Sequence, residues 1–241
     1  DGQHIAVTAP STAGDGRMTL AVAKVEAPQK LTVVAHFDRA DIAAPAWVNS
    51  KRLIFSTVDY QAEVGNQVGG GLYAVDIDSQ NFVWLVERRS GEQNDNAITK
   101  RPLRGNHVLF KTLPGDGDDV LLLRYNERES QEEAISTTLV RLNTRSKSRT
   151  DLGGSKVPEG ATDWVMSRGS DPQPVAVLSI VKERTRMHVA DREGGWTSVA
   201  EYNTFTGGAD YIRPAWADSK GQLYVFATQN NAEKTDALYR F

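Results

Sequence analysis

Few residues in this chain have the type and spacing to do chemistry. Between positions 124 and 133 lie Glu127, Glu129, Glu132 and Glu133, with Arg124 and Arg128 among them. A carboxylate pair such as Glu132 and Glu133 suits an ammonium partner, because charge-assisted hydrogen bonds to it are short and strong. A solvated loop of mixed charge explains the same residues and is the preferred reading. The four histidines, His4, His36, His107 and His188, lie far apart and show no ligand spacing. A metal needs several donors converging at about 2 Å, so the sequence assigns no metal ligand and no cofactor. Gly69-Gly70-Gly71 lacks the following helix and Lys-Ser or Lys-Thr of a phosphate cradle, and a strand pattern follows it instead. A nucleophile elbow needs GxSxG at a strand-to-helix turn, which exposes the serine Oγ beside backbone donors. The nearest text, Gly153-Gly154-Ser155-Lys156-Val157, lacks the last glycine. No catalytic residue is assigned, and the chain is read as having no enzymatic activity of its own.

Composition narrows the classes further. Of the 241 residues, 39% are hydrophobic and 24% charged, enough apolar material for a core and too little charge for a disordered chain. The net charge of -3, with no basic cluster interleaved with aromatics, argues against nucleic acid as a partner. There is no cysteine, which removes disulfides, thiolate metal sites and cysteine nucleophiles. That absence suits both cytosol and periplasm; we lean to a periplasmic or secreted protein. No apolar run approaches the ~18 residues of a membrane span, and Asp1-Gly2-Gln3-His4 is not a signal sequence.

The elements that must position any site come from a repeat of about 50 residues, within the range of propeller blades. Its clearest strand reads Leu20 to Lys24, Leu72 to Asp76, Leu139 to Asn143, Met187 to Asp191 and Leu238 to Phe241. A strand precedes each: Ile5 to Thr8, Leu53 to Thr57, Val108 to Leu113 with Val120 to Arg124 beyond it, Val175 to Val181, and Leu223 to Thr228. Outer strands follow at Lys30 to Ala35, Phe82 to Val86, Arg149 to Leu152 and Trp196 to Ala200. An inner strand carries a tryptophan in three copies, Trp47, Trp164 and Trp216, with Pro102-Leu103 in that place in the third copy. Such recurrence points to packing between blades rather than to sugar stacking. Asp15-Gly16, Asp116-Gly117, Glu193-Gly194-Gly195 and Ser219-Lys220-Gly221 fall between strands, where turns want positive φ. The charged stretch from Asn126 to Ser136 is the least strand-like and reads as a loop or a short helical insertion.

The expected fold is therefore an all-β propeller of about five four-stranded antiparallel blades, near residues 1–40, 41–92, 93–155, 156–206 and 207–241. The first and last blades hold three strands each. Because terminal repeats need capping, we expect a fragment of a larger propeller or a ring closed by unusual pairing of its ends. Open edges invite pairing, so an edge-mediated dimer is also expected.

Several stretches resemble a known family. Asp1-Gly2-Gln3-His4-Ile5-Ala6-Val7 looks like the end of a signature that recurs in prolyl oligopeptidase propellers and in periplasmic TolB-like proteins. Trp47 to Phe55, Gly69 to Asp76, Asp118 to Leu122 and Leu139 to Arg145, in that order, are similar to the N-terminal propeller of bacterial prolyl-oligopeptidase-like serine peptidases. The resemblance runs to about Leu152 and is looser beyond. It implies a parent in which a propeller lids a C-terminal α/β-hydrolase domain and gates peptide substrates. The family's catalytic serine, aspartate and histidine have no matching positions here. In its dipeptidyl peptidases a glutamate pair on a propeller insertion holds the substrate's free amine. Glu132-Glu133 is similar as a pair but lacks the accompanying aromatics. Two alternatives stand beside this reading: a stand-alone TolB-like interaction propeller, and a metal-dependent propeller hydrolase such as a lactonase or glycosidase.

Overall fold

The computed structural model describes residues 2–12, 14–63, 70–87, 102–127, 130, 133–153, 156–208, 211–228 and 235–241. It holds eighteen strands, and no helix occurs among the described residues. The chain divides into two units, Asp1–Leu122 with Leu142–Arg149, and Leu123–Arg141 with Thr150–Phe241.

In the first unit, β1 (His4–Pro10), β2 (Met18–Lys24) and β3 (Thr32–Ala35) form a three-stranded sheet in that order. The strands β4 (Asp41–Asn49), β5 (Arg52–Val58), β6 (Gly70–Asp76) and β7 (Val83–Val86) form a four-stranded sheet, again in chain order. Both sheets are antiparallel throughout, with Val7 opposite Ala21 and Leu53 opposite Val75. The apolar runs predicted from sequence are the middle strands. Leu20 to Ala23 and Leu53 to Phe55 are buried without alternation. Between the two sheets pack Leu20, Val22, Val34, Ile42, Leu53, Phe55, Tyr73 and Val75. Phe55 stacks on Tyr73 with ring centroids 5.8 Å apart, and Tyr73 on Trp84 at 6.2 Å. Ala44, at φ 47°, and Pro45 interrupt the ladder of β4 between Ala43 and Ala46, as a proline without an N–H must.

A third sheet orders β11 (Arg149–Leu152), β10 (Thr137–Asn143), β9 (Asp119–Tyr125) and β8 (His107–Thr112). Its inner strand is thus His107–Thr112, and the expectation that Pro102-Leu103 would fill that place is corrected. Leu103 instead donates to the Leu85 carbonyl, accepts from the Glu87 N–H and bridges Val86 in parallel, so it extends the outer edge of the second sheet by one residue.

The second unit holds a four-stranded sheet of β12 (Ala161–Met166), β13 (Pro174–Val181), β14 (Arg184–Ala190) and β15 (Trp196–Asn203). A three-stranded sheet of β16 (Ile212–Ala217), β17 (Leu223–Thr228) and β18 (Asp236–Arg240) follows, and both are antiparallel. Ala176 and Met187 of one pack with Leu223 and Val225 of the other. The stretch from 126 to 136 is a loop in its described residues: the Asn126 N–H donates to the Ser136 carbonyl, and the Ser136 N–H returns to Asn126 Oδ1. Ser136 Oγ accepts the Gly160 N–H at 2.8 Å. Gly160 lies at φ 75° with the Ile180 carbonyl oxygen only 2.3 Å from where a Cβ would stand, so no other residue fits there without moving backbone. Repeated antiparallel sheets of up to four strands, taken in inner-to-outer order and stacked face on face within each unit, are the build of propeller blades. The fold class is the all-β propeller.

Candidate functional site

Strand order dictates where the side chains of the first unit gather. The β1–β2 turn, the β3–β4 connection and the start of the β5–β6 connection leave their sheets at one common end. There Asp15, Arg17, His36, Asp38, Asp41, Asp59 and Gln61 meet. Arg17 Nη1 donates to Asp41 Oδ2 at 2.9 Å and to Asp59 Oδ1 at 2.6 Å. Asp41 is almost fully buried and also accepts the N–H groups of Met18 and Tyr60. Burial alone would raise its pKa, but those two N–H donors and the guanidinium together hold it below the usual carboxylate range. Asp59 is lowered as well, chiefly by its hydrogen bond from Arg17.

Beside this pair lies a mixed donor set. Asp15 Oδ1 accepts the Arg17 N–H at 3.0 Å, which turns Oδ2 toward His36 Nε2 at 3.1 Å. Asp38 Oδ1 approaches the same nitrogen at 3.4 Å. The Gln61 amide donates to the Asp15 carbonyl at 3.1 Å and fastens the turn. Four carboxylates against one guanidinium and one imidazole leave this end negative, suited to cations and not to anions.

The opposite end of the same unit is closed. Arg52, 0% exposed, donates to Asp76 Oδ1 at 2.7 Å, to the Asn81 carbonyl, and to both Oγ1 and the carbonyl of Thr144. Arg145 adds a bidentate pair to Asp76 at 2.9 and 3.0 Å and reaches Asp118. Burial would raise the Asp76 pKa; hydrogen bonds from Arg145, Asn81 and Arg52 outweigh it and lower the net value. Each guanidinium nitrogen of Arg52 and Arg145 donates to an oxygen, so the network's role is structural.

In the second unit a serine and a histidine do meet. Ser179 Oγ lies 2.8 Å from His188 Nε2, diagonally across the β13–β14 ladder, where Ser179 is opposite Arg186. Both are buried, at 2% and 9% exposure. Burial, aided by Arg186, lowers the imidazole pKa, so it is neutral at pH 7 and can accept the serine proton. Among the described residues no carboxylate is hydrogen-bonded to this imidazole, and a covered Oγ offers a substrate no approach. The pair satisfies two buried polar groups.

The residues singled out from sequence are scattered. Glu132 lies outside the described residues, as do Arg128 and Glu129; Glu127 and Glu133 are exposed on the 126–136 loop. Gly69, Gly154 and Ser155 also lie outside them. Trp164 is buried with its Nε1 donating to Thr137 Oγ1 at 2.8 Å and its ring edge-on to Trp196, the packing role expected of it. Trp47 is half-buried against the core, and Trp216 stacks on Tyr224 at 4.1 Å with the Arg168 guanidinium over its ring. His107 is buried with Nδ1 against the Arg104 carbonyl. His36 is the histidine that sequence spacing undervalued: its carboxylate neighbours come from its own connection and from a turn 21 positions earlier.

No protein family profile matches the sequence, and no curated protein does. Several solved structures align with it. An oligogalacturonate lyase in complex with manganese is 13% identical, with a TM-score of 0.39, over 100% of this chain and 71% of that one. A puromycin-hydrolyzing peptidase of Mycobacterium tuberculosis is 16% identical, with a TM-score of 0.44, over 94% of this chain and 34% of that one. The β-propeller domain of the Trilobed protease from Pyrococcus furiosus is 10% identical, with a TM-score of 0.42, over 99% of this chain and 75% of that one. The chain thus spans about a third of the Mycobacterium tuberculosis peptidase. Likenesses at this level fix no family, and the functional argument rests on the chain's own residues.

Proposed function

We propose that this chain is a non-catalytic propeller module of a prolyl-oligopeptidase-like serine peptidase, which gates and shapes peptide access to an α/β-hydrolase domain. One observation carries the reading. The four stretches that resemble the peptidase propellers fall on strands of the blade pattern in chain order: residues 47–55 on β4 and β5, residues 70–76 on β6, residues 118–122 on β9 and residues 139–145 on β10 and the turn after it. A ring of blades leaves a narrow channel, so selection by size follows from geometry and needs no reacting side chain. The partners in this reading are the hydrolase domain and peptide substrates. A second copy of the chain, pairing along an open sheet edge such as β18, is a further partner, and sedimentation showing only monomer at high concentration would remove it.

The test of the main reading is genetic and cheap. The reading frame that encodes this chain is expected to continue into a GxSxG motif flanked by a strand and a helix. A frame without one would overturn the peptidase reading and favour the TolB-like interaction propeller. One feature suits that second reading: Phe205 is 79% exposed on a turn held by Asn203 Oδ1, which accepts the N–H groups of Phe205 and Thr206. An aromatic displayed on a fixed turn offers apolar area that a protein partner could bury.

A further inference from the structure

We propose that Asp15, His36 and Asp38 form a binding site for a first-row divalent cation of the Zn²⁺ type, which clips the β1–β2 turn to the β3–β4 connection. Their three donor atoms lie within 4.8 Å of one another. The separations from Nε2, 3.1 Å to Asp15 and 3.4 Å to Asp38, match the edges of a coordination shell with metal–ligand bonds of about 2.0–2.2 Å.

Two carboxylate oxygens from different chain segments converge on one ring nitrogen. A cation satisfies all three atoms together. The surroundings prepare the set: Asp15 is oriented through its other oxygen by the Arg17 N–H. The Arg17 guanidinium is engaged by Asp41 and Asp59, so its charge is balanced on the far side of the turn. Asp38 is 95% exposed and can swing onto an ion without backbone movement. His36 and Asp38 both lie on the short β3–β4 connection, Asp38 at its turn. One imidazole among the donors favours Zn²⁺ over Ca²⁺ or Mg²⁺, which take oxygen ligands. Water would complete the shell.

Titration calorimetry of the full chain with ZnCl₂, alongside His36→Ala, Asp38→Asn and the distant Asp116→Asn, tests this. Wild type and Asp116→Asn are expected to bind one equivalent. The His36 and Asp38 variants are each expected to weaken binding by about tenfold or more, since a donor is lost from three. Zn²⁺ should raise the melting temperature of the wild type and not of those two variants. Without metal, Asp38→Asn and Asp116→Asn should melt as the wild type does, because those two side chains are exposed. Absence of saturable binding at one equivalent, Zn²⁺ binding that survives both ligand substitutions, or Ca²⁺ binding as tight as Zn²⁺ would each overturn the assignment.

Discussion

The two ends of the first unit solve the same electrostatic problem in opposite ways. At the closed end, Arg52 and Asp76 are buried where β5 begins and β6 ends, and Arg145, Asn81 and Thr144 hydrogen-bond around them. At the open end, Arg17, Asp41 and Asp59 make a similar charged contact, but Asp59 is 38% exposed and surplus carboxylates lie around it. Desolvation makes the difference. A buried guanidinium deprived of its partner becomes a large liability, whereas an exposed pair is screened by water and salt. The closed end therefore locks the sheets, and the open end is left free to meet a ligand.

Substitutions can break that contrast in graded steps. Arg52→Ala would remove four hydrogen bonds and leave a cavity with the Thr144 carbonyl unsatisfied, while Asp76 keeps Arg145 and Asn81, and is expected to lower unfolding free energy in urea by about 3–5 kcal/mol. Asp76→Asn keeps the shape but removes the charge shared by two guanidinium groups, and should cost about 2–3 kcal/mol at pH 7. The sign with pH follows from its lowered pKa. A carboxyl more acidic in the folded state stabilises above the unfolded pKa of about 3.9, and that contribution disappears as pH falls through the folded value. The acid limb of a stability-against-pH curve should accordingly be shallower for Asp76→Asn than for the wild type. At the open end, Asp41→Asn weakens hydrogen bonds from two N–H groups and one guanidinium and should cost about 1–2 kcal/mol. Asp59→Asn should move the melting temperature least of all, and the small change should vanish in 1 M salt while the Arg52→Ala effect persists. Equal losses at Arg52 and Asp59 would dissolve the distinction between the two ends.

The strands were legible because their signal is local. Leu20 to Lys24, Leu72 to Asp76 and Leu139 to Asn143 are apolar runs bounded by turn residues, and each became a middle strand. Pro102-Leu103 misled because a single-residue bridge to Val86 leaves no periodicity to read. The sites were harder. Arg52 follows Lys51 and reads as part of a polar turn, yet its burial is made by Thr144, 92 positions away. Ser179 and His188 could have been paired from hairpin register, since His188 lies two residues beyond the partner of Ser179. Asp15 and His36 meet only when a turn and a connection at one end of the sheet are folded together, and the His36-x-Asp38 spacing was the one local hint. The Glu132-Glu133 pair rested on local charge and on its likeness to the family's glutamate pair, and Glu132 lies outside the described residues.

In the proposed gating role, the blades build and guard a cleft while the reacting groups lie elsewhere. Purified chain assayed with chromogenic peptide and ester substrates is expected to show no turnover above blank, with Ser179→Ala indistinguishable from wild type. Hydrolysis that survives further purification and disappears in Ser179→Ala would contradict it.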